Sequence, residues 1–314
     1  MDQPPGKLEL PAADQGCDEA RFGGETTTIP IKVDRVDGAV VILANICIAG
    51  TGPYPLIVDT GAPITTLSST LAEKLKLKKI GEPAVLRGLG CTNSTQEIEM
   101  PAWSLDGVPL AAQAAFATRL PGQGGLGEPQ GLIGADVLSS FGAIRIDYRH
   151  ETLTVVGHEG GYFDSRQFAA PDGSGLPAAV VRAKPQIYAP MIIVNHHGEV
   201  RARIRVALGA GLPRGWIVDT GSSVSSVDSS LAKEADLRPT GNRRKLLNFC
   251  TLASLPEFAS SSWTLSGRSI EPRPFVVQTL ASVGAAGLFG SDVMSRYGSV
   301  VLDWAGGRLL LGVG

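Results

Sequence analysis

No apolar run in this 314-residue chain approaches the ~20 residues that a membrane-crossing helix needs. Charge of one sign is also lacking. Twenty-eight Lys and Arg stand against 30 Asp and Glu, for a formal net charge of −2, and no basic block interrupts the sequence. That balance gives no footprint for nucleic acid or for an anionic membrane surface. Cysteine and histidine are scarce, at four each, and form no CxxC or Cys/His cluster. No metal site and no cofactor is therefore predicted. The four cysteines are Cys17, Cys47, Cys91 and Cys250. They allow three pairings into two disulfides, while ordinary cysteine burial favours four unpaired thiols. No G-x-S-x-G elbow is present, which argues against a serine hydrolase. The first residues, MDQPPGKLELPAAD, lack the apolar core of a secretory leader. The compartment is left open, and a leader removed beforehand would favour a secreted or periplasmic setting.

What the chain does contain is glycine and proline, 39 and 21 residues, between short apolar runs. That texture predicts strands and turns rather than long helices. Apolar residues make up 43%, enough for a folded core, and the length accommodates two domains.

One tripeptide occurs twice. Asp59-Thr60-Gly61 lies in PLIVDTGAPITTL and Asp219-Thr220-Gly221 in GWIVDTGSSVSSV. Average composition gives one such triplet by accident in roughly one chain in fifteen of this length. Each follows a short apolar run, Leu56-Ile57-Val58 or Trp216-Ile217-Val218, which reads as a buried strand delivering a carboxylate to a turn.

The surroundings repeat too. At an offset of 219 − 59 = 160, Leu71 and Ala72 fall on Leu231 and Ala232, and Trp103 falls on Trp263. Further on, Gly131 to Val155 echoes Gly287 to Leu311 at an offset of 156. Such a period implies two copies of one unit. The predicted organisation is an N-terminal extension (1–24), a first lobe (25–157), a linker (158–186) and a second lobe (187–314). Each lobe is predicted as an all-β unit of about seven short strands. One short helix is expected after each triplet, capped in the first half by Ser68 or Ser69. Another is expected after Gly134 and Gly290, with Asp136 and Asp292 as its caps.

Two carboxylates from equivalent units invite a pseudo-two-fold arrangement. Brought within a few ångströms, they cannot both ionise freely. They share a proton and their ionisations separate. The charged member then draws a proton from a water, and the protonated member donates to a carbonyl oxygen. That is acid–base hydrolysis of an amide with neither metal nor covalent intermediate. Thr60 and Thr220 supply hydroxyls for bonds across the interface. Gly61 and Gly221 permit close backbone approach. Ser222 offers a hydroxyl to the outer oxygen of Asp219, where Ala62 offers none to Asp59, so the pair is expected to be unequal.

The doubled hydrophobic-Asp-Thr-Gly-(Ser/Ala) run resembles the aspartic proteases. Leu132-Ile133-Gly134 and Leu288-Phe289-Gly290 are similar to that family's second signature. The compact halves and the Gly-x-Asp continuation resemble the retropepsin-like branch, here in a single-chain form. The resemblance covers about residues 27–156 and 190–312. It implies two closed-barrel lobes, a catalytic dyad of Asp59 and Asp219, a Thr60/Thr220 brace, and hairpin flaps over a cleft that binds an extended peptide. The flap candidates are Arg87 to Asn93 and Leu246 to Thr251, with Gly88, Leu89, Gly90, Asn248 and Phe249 as candidate substrate contacts. The expected activity is that of a monomeric aspartic endopeptidase acting on a peptide or protein. The alternative is a catalytically silent peptide-binding or scaffolding protein of the same fold.

Overall fold

The computed structural model describes residues 17, 25–88, 91–120, 128–156, 175–196, 199–247, 252–260 and 262–314. These residues form 27 strands and four short α-helices. None of the helices is long and apolar enough to cross a membrane. The strands fall into three sheets of eleven, ten and six. Apart from Cys17, the N-terminal extension lies outside the described residues, as does much of the linker (157–174).

The eleven-stranded sheet belongs to the first half and the ten-stranded sheet to the second. Their centres are alike. In the first, Thr51–Val58 pairs antiparallel with Ala39–Ile48 on one side and parallel with Gly131–Ile133 on the other. In the second, Arg214–Asp219 lies between Glu199–Leu208 and Gly287–Gly290 in the same senses. Leu56, Val58, Trp216 and Val218 are fully buried, as expected of an apolar run with sheet on both sides. Trp216, Trp263 and Phe275 stack in tilted pairs with 5.3 Å between ring centroids and fill the second core.

The six-stranded sheet is built from both halves. Its order is Thr26–Pro30, Thr152–Val156, Ala143–Asp147, Ser299–Asp303, Arg308–Leu311, Ile187–Pro190. Its middle is the antiparallel pairing of Ala143–Asp147 with Ser299–Asp303, so the two halves meet through a continuous ladder. Two buried ion pairs sit in this sheet, Arg145–Asp147 at 2.8 Å and Arg308–Asp303 at 2.6 Å.

The count of about seven strands per half is too low. Thr27 to Val33, an alternating stretch that reads in sequence as one strand, is split between two, because Thr26–Pro30 joins the six-stranded sheet and Lys32–Val36 turns away to pair with Ala39–Ile48. The turn between those two takes positive φ at Asp37 (50°) and Gly38 (79°), the conformation a two-residue hairpin requires. The helix after the first triplet spans Ser69–Lys74, and Ser68 caps it by accepting from the Leu71 N–H. The four-thiol expectation fails for Cys17 and Cys47, which form a disulfide with 5.7 Å between Cα atoms. Gly52 leaves room for it, since a Cβ there would lie 3.2 Å from each sulfur. The Cys91 side chain and Cys250 lie outside the described residues.

Candidate active site

Each acid is delivered by the central strand of its sheet. The Asp59 N–H donates to the Ile133 carbonyl at 3.0 Å, and Asp219 pairs with Gly290, so parallel ladders hold both junctions. The two loops then lock by four reciprocal bonds. Thr60 Oγ1 donates to the Val218 carbonyl (2.8 Å) and accepts from the Thr220 N–H (3.1 Å). Thr220 Oγ1 donates to the Val58 carbonyl (2.7 Å) and accepts from the Thr60 N–H (3.0 Å). Both threonines are fully buried, so each bond is shielded from competing water.

This brace brings the carboxylates of Asp59 and Asp219 within hydrogen-bonding reach of each other. Gly61 and Gly221 make the approach possible. A Cβ on Gly61 would lie 2.3 Å from Cγ of Asp219, and one on Gly221 would lie 2.2 Å from Cγ of Asp59. No residue with a side chain fits either place.

The two acids are not equivalent. Asp59 Oδ1 accepts from the N–H groups of Gly61 (3.0 Å) and Ala62 (2.9 Å), whereas Asp219 Oδ1 accepts from the N–H of Ser222 (2.8 Å). The Gly221 N–H supports both. Burial raises the Asp59 carboxyl above the ordinary value, against the pull of its amide donors. Burial and then the charge of Asp59 hold the Asp219 carboxyl well above that value. Two carboxyls this close share one proton, and the two ionisations belong to the pair rather than to either residue.

The predicted role of the Ser222 hydroxyl is not found. Ser222 Oγ donates to the Val224 carbonyl at 2.9 Å, and the backbone N–H serves Asp219 instead. The two acids differ in their loop donors instead, Asp59 Oδ1 accepting from two amides and Asp219 Oδ1 from one.

Asp136 and Asp292 are not helix caps either. The helices Ala135–Leu138 and Ser291–Met294 begin after Gly134 and Gly290, with no side-chain cap. Each Asp reaches instead to the loop behind its triplet. Asp136 accepts from the Thr65 N–H (3.0 Å) and hydroxyl (2.8 Å), and Asp292 from the Ser225 N–H (2.9 Å) and hydroxyl (2.7 Å). Burial raises both, Asp292 to about 6, against the hydrogen bonds from Thr65 and Ser225. Thr65 and Ser225 were missed in the sequence, although both are hydroxyl residues at the 160-residue offset. Gly134 and Gly290 serve close packing, since a Cβ would lie 2.6 Å from the Ile64 carbonyl carbon and 2.7 Å from the Ser222 oxygen.

Two hairpins occupy the predicted flap positions. Ala84–Gly88 pairs with Cys91–Met100, ending at Gly88 opposite Cys91, and Arg238–Leu247 pairs with Leu252–Ala259. Leu89, Gly90, Asn248 and Phe249 lie outside the described residues. The second hairpin carries a knot without a counterpart in the sequence reading. Glu257 accepts from Thr240 Oγ1 (2.8 Å), Asn242 Nδ2 (3.2 Å) and Arg244 Nε (2.5 Å). Arg244 also donates to the carbonyl of Asp37, on the first half's hairpin turn.

Residues 44–137 match a sequence profile of the family described as aspartyl protease, 94 of 314 residues, taking in the first triplet and the first Leu-Ile-Gly. The structure is similar to the crystal structure of an aspartic proteinase from Irpex lacteus, with TM-score 0.52 and 14% identity over 90% of this chain and 96% of that one. Basic 7S globulin from soybean also matches, with TM-score 0.43 and 12% identity over 92% and 95% of the two chains. No curated protein sequence matches. The fold is that of a two-lobed, all-β acid proteinase of the pepsin-like kind.

Proposed function

We propose that the chain is an aspartic-type endopeptidase in which Asp59 and Asp219 activate a water against a peptide carbonyl. One observation carries this reading: the threonine brace brings two carboxylates, each at the end of a central strand, within hydrogen-bonding reach, with unequal amide donors. In this reading the pair shares one proton, with the charge on Asp59 and the proton on Asp219, which is the protonation state the reaction needs. Asp59 takes a proton from the water while the water oxygen bonds to the carbonyl carbon. Asp219 gives its proton to the carbonyl oxygen, so a neutral tetrahedral diol forms. In the second step Asp59 returns a proton to the leaving nitrogen, the C–N bond breaks, and a diol hydroxyl returns its proton to Asp219. No charge accumulates in the buried site at either step.

In this reading both acids come from one chain, so a monomer suffices. The halves, 25–157 and 187–314, are fused copies of one unit, as the matched central strands and the repeated Gly-x-Asp segment support. The Gly-x-Asp segments favour a retropepsin-like ancestry for each copy. The substrate is an extended peptide lying between the lobes beneath the two hairpins.

The test is cleavage of a mixed peptide library across pH 3 to 8, read by mass spectrometry. Asp59→Asn and Asp219→Asn should each lower kcat/KM by about 10³-fold or more. A transition-state mimic with a secondary hydroxyl should inhibit the parent chain. Undiminished cleavage by either variant rejects the dyad. A tight complex with peptide that is never cut would mark the chain as a silent binder.

A further inference from the structure

We propose that Asp136 and Asp292 are positioning residues, each clamping the loop that presents amide donors to the acid of its own half. The proposal rests on the hydrolytic reading of the dyad and adds to it a second pair of acids.

The geometry is repeated in each half. In the first, Asp136 accepts from both the N–H and the hydroxyl of Thr65, and Thr65 Oγ1 accepts from the Gly134 N–H at 3.0 Å. The adjacent Ala135 N–H donates to the Ala62 carbonyl at 2.8 Å. In the second, Asp292 accepts from both groups of Ser225, and Ser225 Oγ accepts from the Gly290 N–H at 3.0 Å. The adjacent Ser291 N–H donates to the Ser222 carbonyl at 3.0 Å. One helical turn thus holds both ends of the loop 62–65, and its counterpart holds 222–225.

Ala62 and Ser222 are the residues whose N–H groups reach Asp59 and Asp219. Their carbonyls are tied to the clamp and their amides to the dyad. Loosening the clamp lets those amides rotate away from the carboxylates. A buried carboxyl is a costly choice for a purely mechanical bracket, but its oxygens accept two donors from one residue, and when ionised it presents no donor of its own.

The clamps differ in detail. At Asp136 the two Thr65 donors land on separate oxygens, and Gln113 Nε2 adds a third bond at 3.3 Å. At Asp292 both Ser225 donors land on one oxygen. The other groups whose charge or titration is felt at Asp292 are Arg273, at the position equivalent to Gln113, and Tyr148, whose hydroxyl lies 3.3 Å from Ser291 Oγ. An Asn at 292 can place its carbonyl oxygen on both donors. An Asn at 136 must turn its NH₂ toward one of them.

The experiment is carbon-13 NMR of aspartate carboxyls in the full chain, titrated from pH 3 to 8 alongside peptide-cleavage kinetics. Asp136→Ala should raise the lower dyad ionisation by about half to one pH unit, and Asp292→Ala the upper one. In each, kcat should fall about 10- to 100-fold with KM within about threefold. Asp292→Asn should lose less than Asp136→Asn. Thr65→Val and Ser225→Ala, which remove only a hydroxyl, guard against misfolding and should shift the same ionisations in the same directions. Folded variants whose dyad ionisations stay in place, with activity tracking the folded fraction alone, would overturn the proposal. A parent chain that cuts no peptide while its variants shift as stated would reject hydrolysis and keep the clamp.

Discussion

A methyl group at position 61 or 221 has no space, since its carbon would lie 2.3 or 2.2 Å from the opposite carboxyl carbon. The separation of the two ionisations depends on that closeness, because mutual repulsion falls as the carboxylates part. Gly61→Ala or Gly221→Ala should draw both ionisations toward the ordinary aspartate value and cut kcat/KM more than about 100-fold. The parent pH–rate profile should be a bell. Its acid limb, where the pair gains its second proton, should lie above the ordinary aspartate value because burial raises Asp59. Its alkaline limb, where the pair loses its shared proton, should lie well above that ordinary value, because burial and then the neighbouring charge raise Asp219. A profile with a single limb at the ordinary value would contradict the pairing.

Between residues and the whole lie the hairpins, and the second is built around one buried acid. Glu257 is 3% exposed and sits opposite a bulge at 240–242, where Gly241 takes φ +88°. Burial pushes its carboxyl up, but bonds from Thr240, Arg244 and Asn242 hold it below the usual range. Glu257→Ala would take the carboxylate partner from Arg244 and the acceptor from Thr240 and Asn242, and should cost about 2 kcal/mol, read by urea denaturation. Glu257→Gln, which keeps an acceptor, should cost less. Little of this hairpin was legible, because no local pattern tells which Arg meets which Glu across a bulge. The central strands and the helix Ser69–Lys74 with its Ser68 cap were legible, since each is set by its own neighbours in sequence. The site was legible as far as the triplets and the threonine brace. Asp136 was misread because a Gly-x-Asp before a short helix has the local signature of a cap, and its true partner Thr65 is 71 residues away. Ser222 was misread because its hydroxyl found a carbonyl two residues on, at Val224.

At the scale of the molecule, the halves are joined through the six-stranded sheet, and its chemistry ties stability to pH. Asp147, beside Arg145 in that sheet, has its carboxyl lowered to about 2. Its burial acts against this, but bonds from Arg145 and His150 outweigh it. An acid lowered in the folded state stabilises above its unfolded value of 3.8 and loses that contribution as pH falls toward 2, here about 2 kcal/mol. Asp292 behaves oppositely. Raised from 3.8 to about 6, it stays protonated in the folded chain while the unfolded chain ionises, so about 3 kcal/mol is lost as pH rises from 3.8 to about 6. The raised dyad carboxyls act in the same direction as Asp292. Stability should therefore peak near pH 4 and fall on both sides, as measured by denaturant midpoints across pH 2 to 7. Asp147→Asn should flatten the acid side and leave the other slope in place. A parent chain whose midpoint rises steadily from pH 4 to 7 would show that Asp292 and the dyad ionise as freely in the fold as in the open chain. In that case the loops behind the two triplets could not be as closed to water as their packing requires.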